Sequence, residues 1–364
     1  MGGTSNFRRG RAPAALVALL VLALAVVACG GGDSSSSEEE TGSSGGDGGS
    51  ASDAGSGDSG DSGDAFPLTV EHTFGETTID ERPERVVTVG LTDHDAVLAL
   101  GVAPVGVTDW FGDQPYATWP WAQEALGDAE PEIVGDGAGL NFESIAALQP
   151  DVILALYAGL TESDHDTLSG IAPTVAQPEG VIDYGIGWDE QVLVAGRVLG
   201  EAERAEALVA DVEQRFADAQ AAHPEFAGKQ GLVVSPYNDL LSVYAPQDPR
   251  GRFMADLGFT QPPEIEELAG DAFSADLSAE RGDLLDVDVV VWIVGSIESD
   301  VPRFDEDPVY SALDVHTGGH EVFVENLSPT GGATSFVTVL SIPFLLDELV
   351  PQLADAVAGT GPAA

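Results

Sequence analysis

Residues 141–156 read Asn-Phe-Glu-Ser-Ile-Ala-Ala-Leu-Gln-Pro-Asp-Val-Ile-Leu-Ala-Leu, and this stretch decides the fold. Phe142–Leu148 reads as a helix and Asp151–Leu156 as a short apolar strand. The same order returns near the other end of the chain. Ser278-Ala279-Glu280 leads through Leu284-Leu285 to Asp288, inside the apolar run Val287–Val294. Eight positions separate Glu143 from Asp151, and eight separate Glu280 from Asp288. A second echo joins Leu100-Gly101-Val102 to Leu257-Gly258-Phe259, each closing a helix. A helix-into-strand unit used twice predicts an α/β protein with two lobes of related topology.

Working outward, Leu68–Phe74 and Thr77–Ile79 form a hairpin turning at Gly75-Glu76. Strand Arg85–Gly90, helix Asp95–Leu100 and strand Pro104–Thr108 come next, with a helix near Glu162–Ile171 and a strand at Thr174–Ala176. Trp188, Val192, Ala195 and Leu199 recur at helical spacing. Glu201–Ala222 contains neither Gly nor Pro, and Ala205, Leu208, Val212, Phe216 and Ala219 form one stripe along it. The boundaries that follow are a first lobe at 66–200, a single long connecting helix at 201–223 and a second lobe at 224–364. In the second lobe Gly231–Ser235, Val287–Val294 and Val322–Val324 read as strands, and Gly251–Leu257 and Val337–Leu349 as helices.

The 364 residues carry 62 acidic side chains against 13 basic ones. Removing residues 1–28 takes away three arginines and no acid, leaving ten basic residues and a net charge of −52. So acidic a chain is a poor partner for nucleic acid or an anionic surface. Its self-repulsion fades at about 1 M salt, where the screening length is roughly 3 Å, which fits a saline habitat.

Arg8, Arg9 and Arg11 precede an apolar run from Ala12 to Ala28, and Cys29, the only cysteine, follows Val26-Val27-Ala28. These are the parts of a secretory signal. A plain transmembrane anchor is the alternative, although a run of 17 residues is at the lower limit for spanning a bilayer. The end of the run resembles a bacterial lipobox, which implies that Cys29 is acylated and becomes the first residue of a membrane-tethered, extracytoplasmic protein. Behind it, residues 29–65 read as an acidic Gly/Ser tether. Gly30–Ala65 has nine acids and no base, a composition that stays disordered and reaches roughly 30–36 Å.

Val86-Val87-Thr88-Val89-Gly90, Leu98-Ala99-Leu100-Gly101-Val102, Pro104-Val105-Gly106-Val107, Asn141–Asp151 with Gln149-Pro150-Asp151, and Ile171-Ala172-Pro173-Thr174 occur in this order. Together they resemble the iron-siderophore substrate-binding lipoproteins of ABC importers, from about Val70 to Leu353. The resemblance implies two lobes on a rigid helix, a ligand cleft between them and little hinge motion. It also implies a monomer that delivers a ferric siderophore to an ABC permease and its ATPase. Iron then arrives inside the siderophore, and the protein needs no cofactor. In related proteins a surface glutamate on each lobe docks into arginine pockets of the permease, and Glu143 and Glu280 stand at the matching places. The chain departs from its relatives in its scarcity of Arg and Lys.

In open α/β sheets ligands sit beyond the carboxyl ends of strands. That rule selects Trp110, Tyr116, Trp119 and Tyr157 in the first lobe and Tyr237, Tyr244 and Trp292 in the second. Aromatic walls suit a bulky chelate, because they give large contact at little entropic cost. Trp121, followed by the helix-like Ala122–Leu126, reads as packing instead. A ferric tris-catecholate is anionic and needs a basic pocket. Arg250 and Arg252 are the candidates for one, but with so few bases a neutral or cationic complex such as a ferric hydroxamate is favoured. His94 lies either at the cleft or in a capped loop. Gly331-Gly332, near Ser328 and Ser335, is expected to shape a cleft loop. His316 and His320 lack a third ligand, and Gly318-Gly319 between them argues against a metal pair. Neither a nucleophile elbow, a His-Glu-x-x-His motif nor a phosphate loop is present. Rival readings are a corrinoid or haem carrier, a lipid-anchored hydrolase, which needs catalytic residues in one pocket, and an adhesion module, which needs a broad apolar face.

Overall fold

Two runs, Val86–Thr88 and Val289–Val294, are buried along their whole length and are interior strands of two sheets, as strands covered on both faces are. The computed structural model describes residues 66–361, apart from 138, 238 and 239 and the side chains of Tyr237 and Ala279. Cys29, the signal and the tether lie outside the described residues.

Strands β1 (Leu68–His72) and β2 (Gly75–Ile79) form the opening hairpin. Its turn is Thr73-Phe74, two residues earlier than expected. Phe74 leaves the strand because its N–H donates to His72 Nδ1 and its ring stacks on His165 with centroids 4.7 Å apart. The first lobe then builds β3 (Val86–Thr88), β4 (Gly106–Asp109), β5 (Glu132–Asp136), β6 (Gly139–Leu140), β7 (Val152–Ala155) and β8 (Thr174–Ala176). Their spatial order is β6-β5-β4-β3-β7-β8, parallel except for β5–β6. The second lobe builds β9 (Gly231–Tyr237), β10 (Leu240–Tyr244), β11 (Ser274–Leu277), β12 (Val289–Val294) and β13 (Glu321–Glu325) in the order β11-β10-β9-β12-β13. Here β9, β12 and β13 are parallel, while β10 and β11 run against their neighbours.

The repeat seen in the sequence has a structural cause. Asp151, at the head of β7, accepts hydrogen bonds from the backbone N–H of Glu84 and of Arg85. Asp288, at the head of β12, accepts from the backbone N–H of Gln230 and from Lys229 Nζ. In each lobe the carboxylate pins the chain entering the parallel neighbour, β3 or β9.

The connecting helix is Ala202–Ala222, with Ala205, Val212 and Phe216 buried as the stripe demands. At 1.5 Å per residue its 21 residues span about 32 Å. It folds back on helix Trp188–Leu199 so closely that a Cβ on Gly196 would lie 2.4 Å from the Ala205 methyl. Phe216 meets Trp188 on one side and Phe253 of the second lobe on the other. One apolar core therefore runs through both lobes and the helix that joins them, from Val70 to Ala356. The outer faces of the two sheets carry smaller cores of their own.

The expected helix Val337–Leu349 starts four residues later and runs on as Ser341–Val357, bent by 118° from a separate helix, Pro329–Phe336, that precedes it. Val337 is left-handed at φ 45°, and Thr338 and Ser341 exchange hydrogen bonds through the break.

Candidate ligand-binding cleft

The carboxyl ends of β3, β4, β5 and β7 converge on a cleft of about 600 Å³, closed from the second lobe by Asp248, Arg250 and Phe273. Trp110 follows β4, and Tyr157 follows β7. The two rings stand 6.1 Å apart in the wall. Tyr157 is held in place through its backbone. Buried Asp93 accepts hydrogen bonds from the N–H groups of Leu156 and Tyr157 and from Gln191, tying the end of β7 to two helices. Burial pushes the Tyr157 hydroxyl well above its ordinary value, so the phenol stays protonated despite Arg250 nearby.

Arg250 is the cation of this site. It stands at the start of helix Pro249–Asp256, 5% exposed, with its guanidinium 3.0 Å from Asp248 and 3.8 Å from the centre of the Tyr244 ring. Burial is the largest influence and works against its charge, but Asp248, Tyr244 and Tyr157 together outweigh it and hold the guanidinium protonated. Its Nε finds no acceptor among the described residues. Nε itself is sealed from solvent, while Arg250 as a residue lines the cleft.

The structure brings Trp110, Tyr157 and Arg250 together, and it moves other expected residues away. Tyr116 is 38% exposed, points outward from a left-handed turn and donates to Glu130. Trp119 is 1% exposed and stacks on Trp121 at 5.3 Å, so it belongs to the core. Trp121 packs, as expected, and donates to Asp95. Trp292 has no exposed surface, and its indole N–H is shared between the Tyr310 hydroxyl and Glu321 beneath the second sheet. Tyr244 lies behind Arg250 as its aromatic floor rather than in the wall. Arg252 faces a different groove, with Trp188, Asp189 and Asp256, because the two helical steps from Arg250 to Arg252 carry the side chain about 200° round the axis. The Tyr237 side chain is outside the described residues.

His94 is buried and packs its ring against Phe336, away from the cleft. Gly331 and Gly332 lie within helix Pro329–Phe336 instead of a cleft loop. His316 is held between Asp305 and Glu321, and His320 bonds the carbonyl of Ala356. Among the described residues no group of three metal-binding side chains occurs. Glu143 and Glu280 are both exposed, in the first turns of a capped helix and of a 3-10 helix. Sequence reasoning missed Tyr184, Phe273 and Asp248. The first two are lone rings in irregular segments, and their only signal was an aromatic residue beside Gly185 or after Gly270.

The sequence profile of the family described as periplasmic binding protein matches residues 86–313. The chain is 29% identical over 203 residues to the probable siderophore-binding lipoprotein YfiY of Bacillus subtilis, a match covering 55% of this chain and 59% of the relative. It is 26% identical over 255 residues to the Fe(3+) dicitrate-binding periplasmic protein FecB of Escherichia coli, covering 68% of this chain and 79% of that one. Among solved structures, a periplasmic solute binding protein from Mycobacterium smegmatis superposes with a TM-score of 0.70 at 34% identity, over 80% of this chain and 98% of the other. PiaA of Streptococcus pneumoniae in complex with ferrichrome gives 0.72 at 29% identity, over 80% and 99%.

Proposed function

The chain belongs to the periplasmic binding protein family, and on that premise we propose that it is the substrate-binding component of an ABC importer. In this reading it captures a ferric siderophore between its lobes and hands it to a membrane permease. It is a binding protein and not an enzyme, as its relatives are.

The observation that carries the reading is the cleft itself. Rings of Trp110, Tyr157 and Tyr184 from one lobe face a buried, incompletely bonded arginine from the other. A volume of about 600 Å³ lies within the range of pockets that enclose most of a small organic ligand. The lining also favours one charge class. Asp136, Asp164 and Asp248 share the cleft with Arg250 as its one base. An anionic tris-catecholate meets repulsion there, whereas a neutral or cationic ferric hydroxamate does not. Arg250 then offers the positive charge of its guanidinium to a chelate oxygen. Iron arrives inside the siderophore as cargo, and the protein supplies no cofactor.

Acylated Cys29 and the acidic tether would hold this body, acting as a monomer, near its permease at a high effective concentration. Glu143 and Glu280, exposed on the two lobes, serve as the docking carboxylates.

Titration of the purified protein with a ferric trihydroxamate, a ferric tris-catecholate, ferric dicitrate, cobalamin and haemin, followed by tryptophan emission, tests the proposal. Saturable quenching is expected with the hydroxamate and not with the catecholate. If no ferric siderophore binds saturably, the reading fails. Tighter binding of cobalamin or haemin replaces it with the corrinoid or haem carrier.

A further inference from the structure

We infer that Phe336 is a positioning residue for the ligand wall, setting from the C-terminal segment the orientation of Trp110. The inference rests on the cleft reading above only in taking Trp110 to touch the ligand.

Phe336 follows the second lobe's last strand in the chain, yet its ring sits in the first lobe. It is 2% exposed and lies within 5.5–6.1 Å, centroid to centroid, of Trp110, Phe111, Trp119, Trp121 and His94. Trp110 is the only one of these five in the cleft lining. Its ring lines the ligand space, and Phe111, Phe336 and Tyr157 surround it with centroids at 5.0, 5.5 and 6.1 Å. The outer torsion of a tryptophan side chain is broad, so its ring holds one orientation only where neighbours enforce it.

The segment that carries Phe336 is anchored on both sides. One helical turn earlier Gly332 lies flush on the aromatic cage, where an added Cβ would be 2.6 Å from the Trp119 ring. Two residues later Thr338 donates its hydroxyl to buried Asp95 of the first lobe, which also accepts from the Trp121 indole. Between the anchors Val337, a β-branched residue, is held at φ 45° and ψ 61°. That is a costly conformation for valine, and it persists only where the surroundings over-determine it. Phe336 and Thr338 supply that constraint, so the C-terminal segment is a rigid backstop. Removing the Phe336 ring frees Trp110 to tilt away from the ligand, and binding must then pay for ordering it again.

A double-mutant cycle tests this, with Phe336→Leu and Trp110→Phe made singly and together and binding of a ferric trihydroxamate measured by calorimetry. F336L alone should weaken binding about five- to tenfold, the size of a lost aromatic contact. In the W110F background the same change should cost less than about twofold, because the group it acts through is gone. The ligand-free protein gives a second reading. F336L should diminish the near-UV circular dichroism of the tryptophans, and this loss should shrink in W110F. Unchanged binding in F336L, or an equal loss in both backgrounds, overturns the inference and leaves Phe336 a core residue. If the native protein binds no ferric siderophore, the cleft reading fails, and the ligand-free spectra alone decide whether Phe336 orients Trp110. Should F336L not fold, Phe336→Met is put through the same cycle.

Discussion

The ring of Phe273 in the second lobe meets that of Tyr184 in the first edge to face, with centroids 6.4 Å apart and planes at 84°. Both rings line the cleft, so this contact bridges it from lobe to lobe. Tyr184 reaches the position from a left-handed turn at φ 58°. Phe273 is 42% exposed and contributes little to the core.

Phe273→Ala should therefore act on rates more than on stability. The thermal midpoint stays near that of the native protein, as for most changes at exposed positions. Dissociation of the ferric siderophore should speed up about threefold or more, since affinity changes within one interface fall mainly on the off-rate. Stopped-flow quenching measures it, and an unaltered off-rate would show that the bridge does not retain ligand.

Arg250→Met should damage both fold and binding. It leaves Asp248 buried with its charge uncompensated, a loss of about 3–5 kcal/mol where a buried pair is broken from one side. Arg250→Met combined with Asp248→Asn removes the stranded charge and should restore most of the stability without restoring binding. Denaturant unfolding and calorimetric titration of both variants separate the two effects. Full recovery of affinity in the double variant would exclude Arg250 as a ligand contact.

Two tryptophans should behave in opposite ways. Trp110→Ala, in the cleft wall, is expected to weaken ligand binding at least tenfold, about 1.4 kcal/mol. Trp292→Phe deprives buried Glu321 of an indole donor and should cost about 1–3 kcal/mol of stability with ligand affinity unchanged. The assignment of Trp292 to the core is wrong if W292F binds ligand poorly at a temperature where it is fully folded.

Acid should stabilise this protein within limits. Asp93 and Asp95 have no exposed surface, and burial raises both carboxyls above the ordinary 3.8, with hydrogen bonds and His94 offsetting it only in part. A carboxyl that binds its proton more tightly in the folded state adds stability in full below the unfolded value. That stability is lost as pH rises through the folded value. The thermal midpoint should therefore climb as pH falls from about 8 toward the ordinary carboxylate range. Relief of repulsion in a chain of formal charge −49 acts in the same direction. Asp95→Asn should flatten the slope. A midpoint that drops steadily on moving from pH 8 toward that range contradicts the assignment.

Glu143→Arg and Glu280→Arg should leave ferric siderophore affinity within about twofold of the native value, because both side chains are exposed outside the cleft lining. Import by vesicles containing the permease and its ATPase should fall sharply with either variant. Uptake at the native rate by the double variant would remove these residues from the docking surface.

Much of this architecture was legible because it is written locally. The offset from Glu143 to Asp151 and from Glu280 to Asp288 reflects two carboxylates doing the same job at the heads of β7 and β12. The stripe Ala205, Val212, Phe216 became the buried face of the connecting helix. The break was only half legible: Pro343, inside the apolar run 337–349, marks a helix that starts just before it, but no neighbouring residue dictates the turn at Val337. The force that does is distant: Asp95 takes the Thr338 hydroxyl.

The rings divide along the same line. Trp110 and Trp119 are nine positions apart on one loop, equally aromatic and equally placed beyond a strand end. Chain periodicity, a property of neighbours three or four positions away, settled the α/β class, the paired lobes and the helix between them. Composition settled the acidity, and the apolar run before Cys29 is the ground for expecting an extracytoplasmic address. Which ring faces the cleft and which is sealed in the core depended on Gly332 and Phe336 closing over Trp119 from the far end of the chain. Burial is set by contacts between distant segments, and only the folded chain contains them.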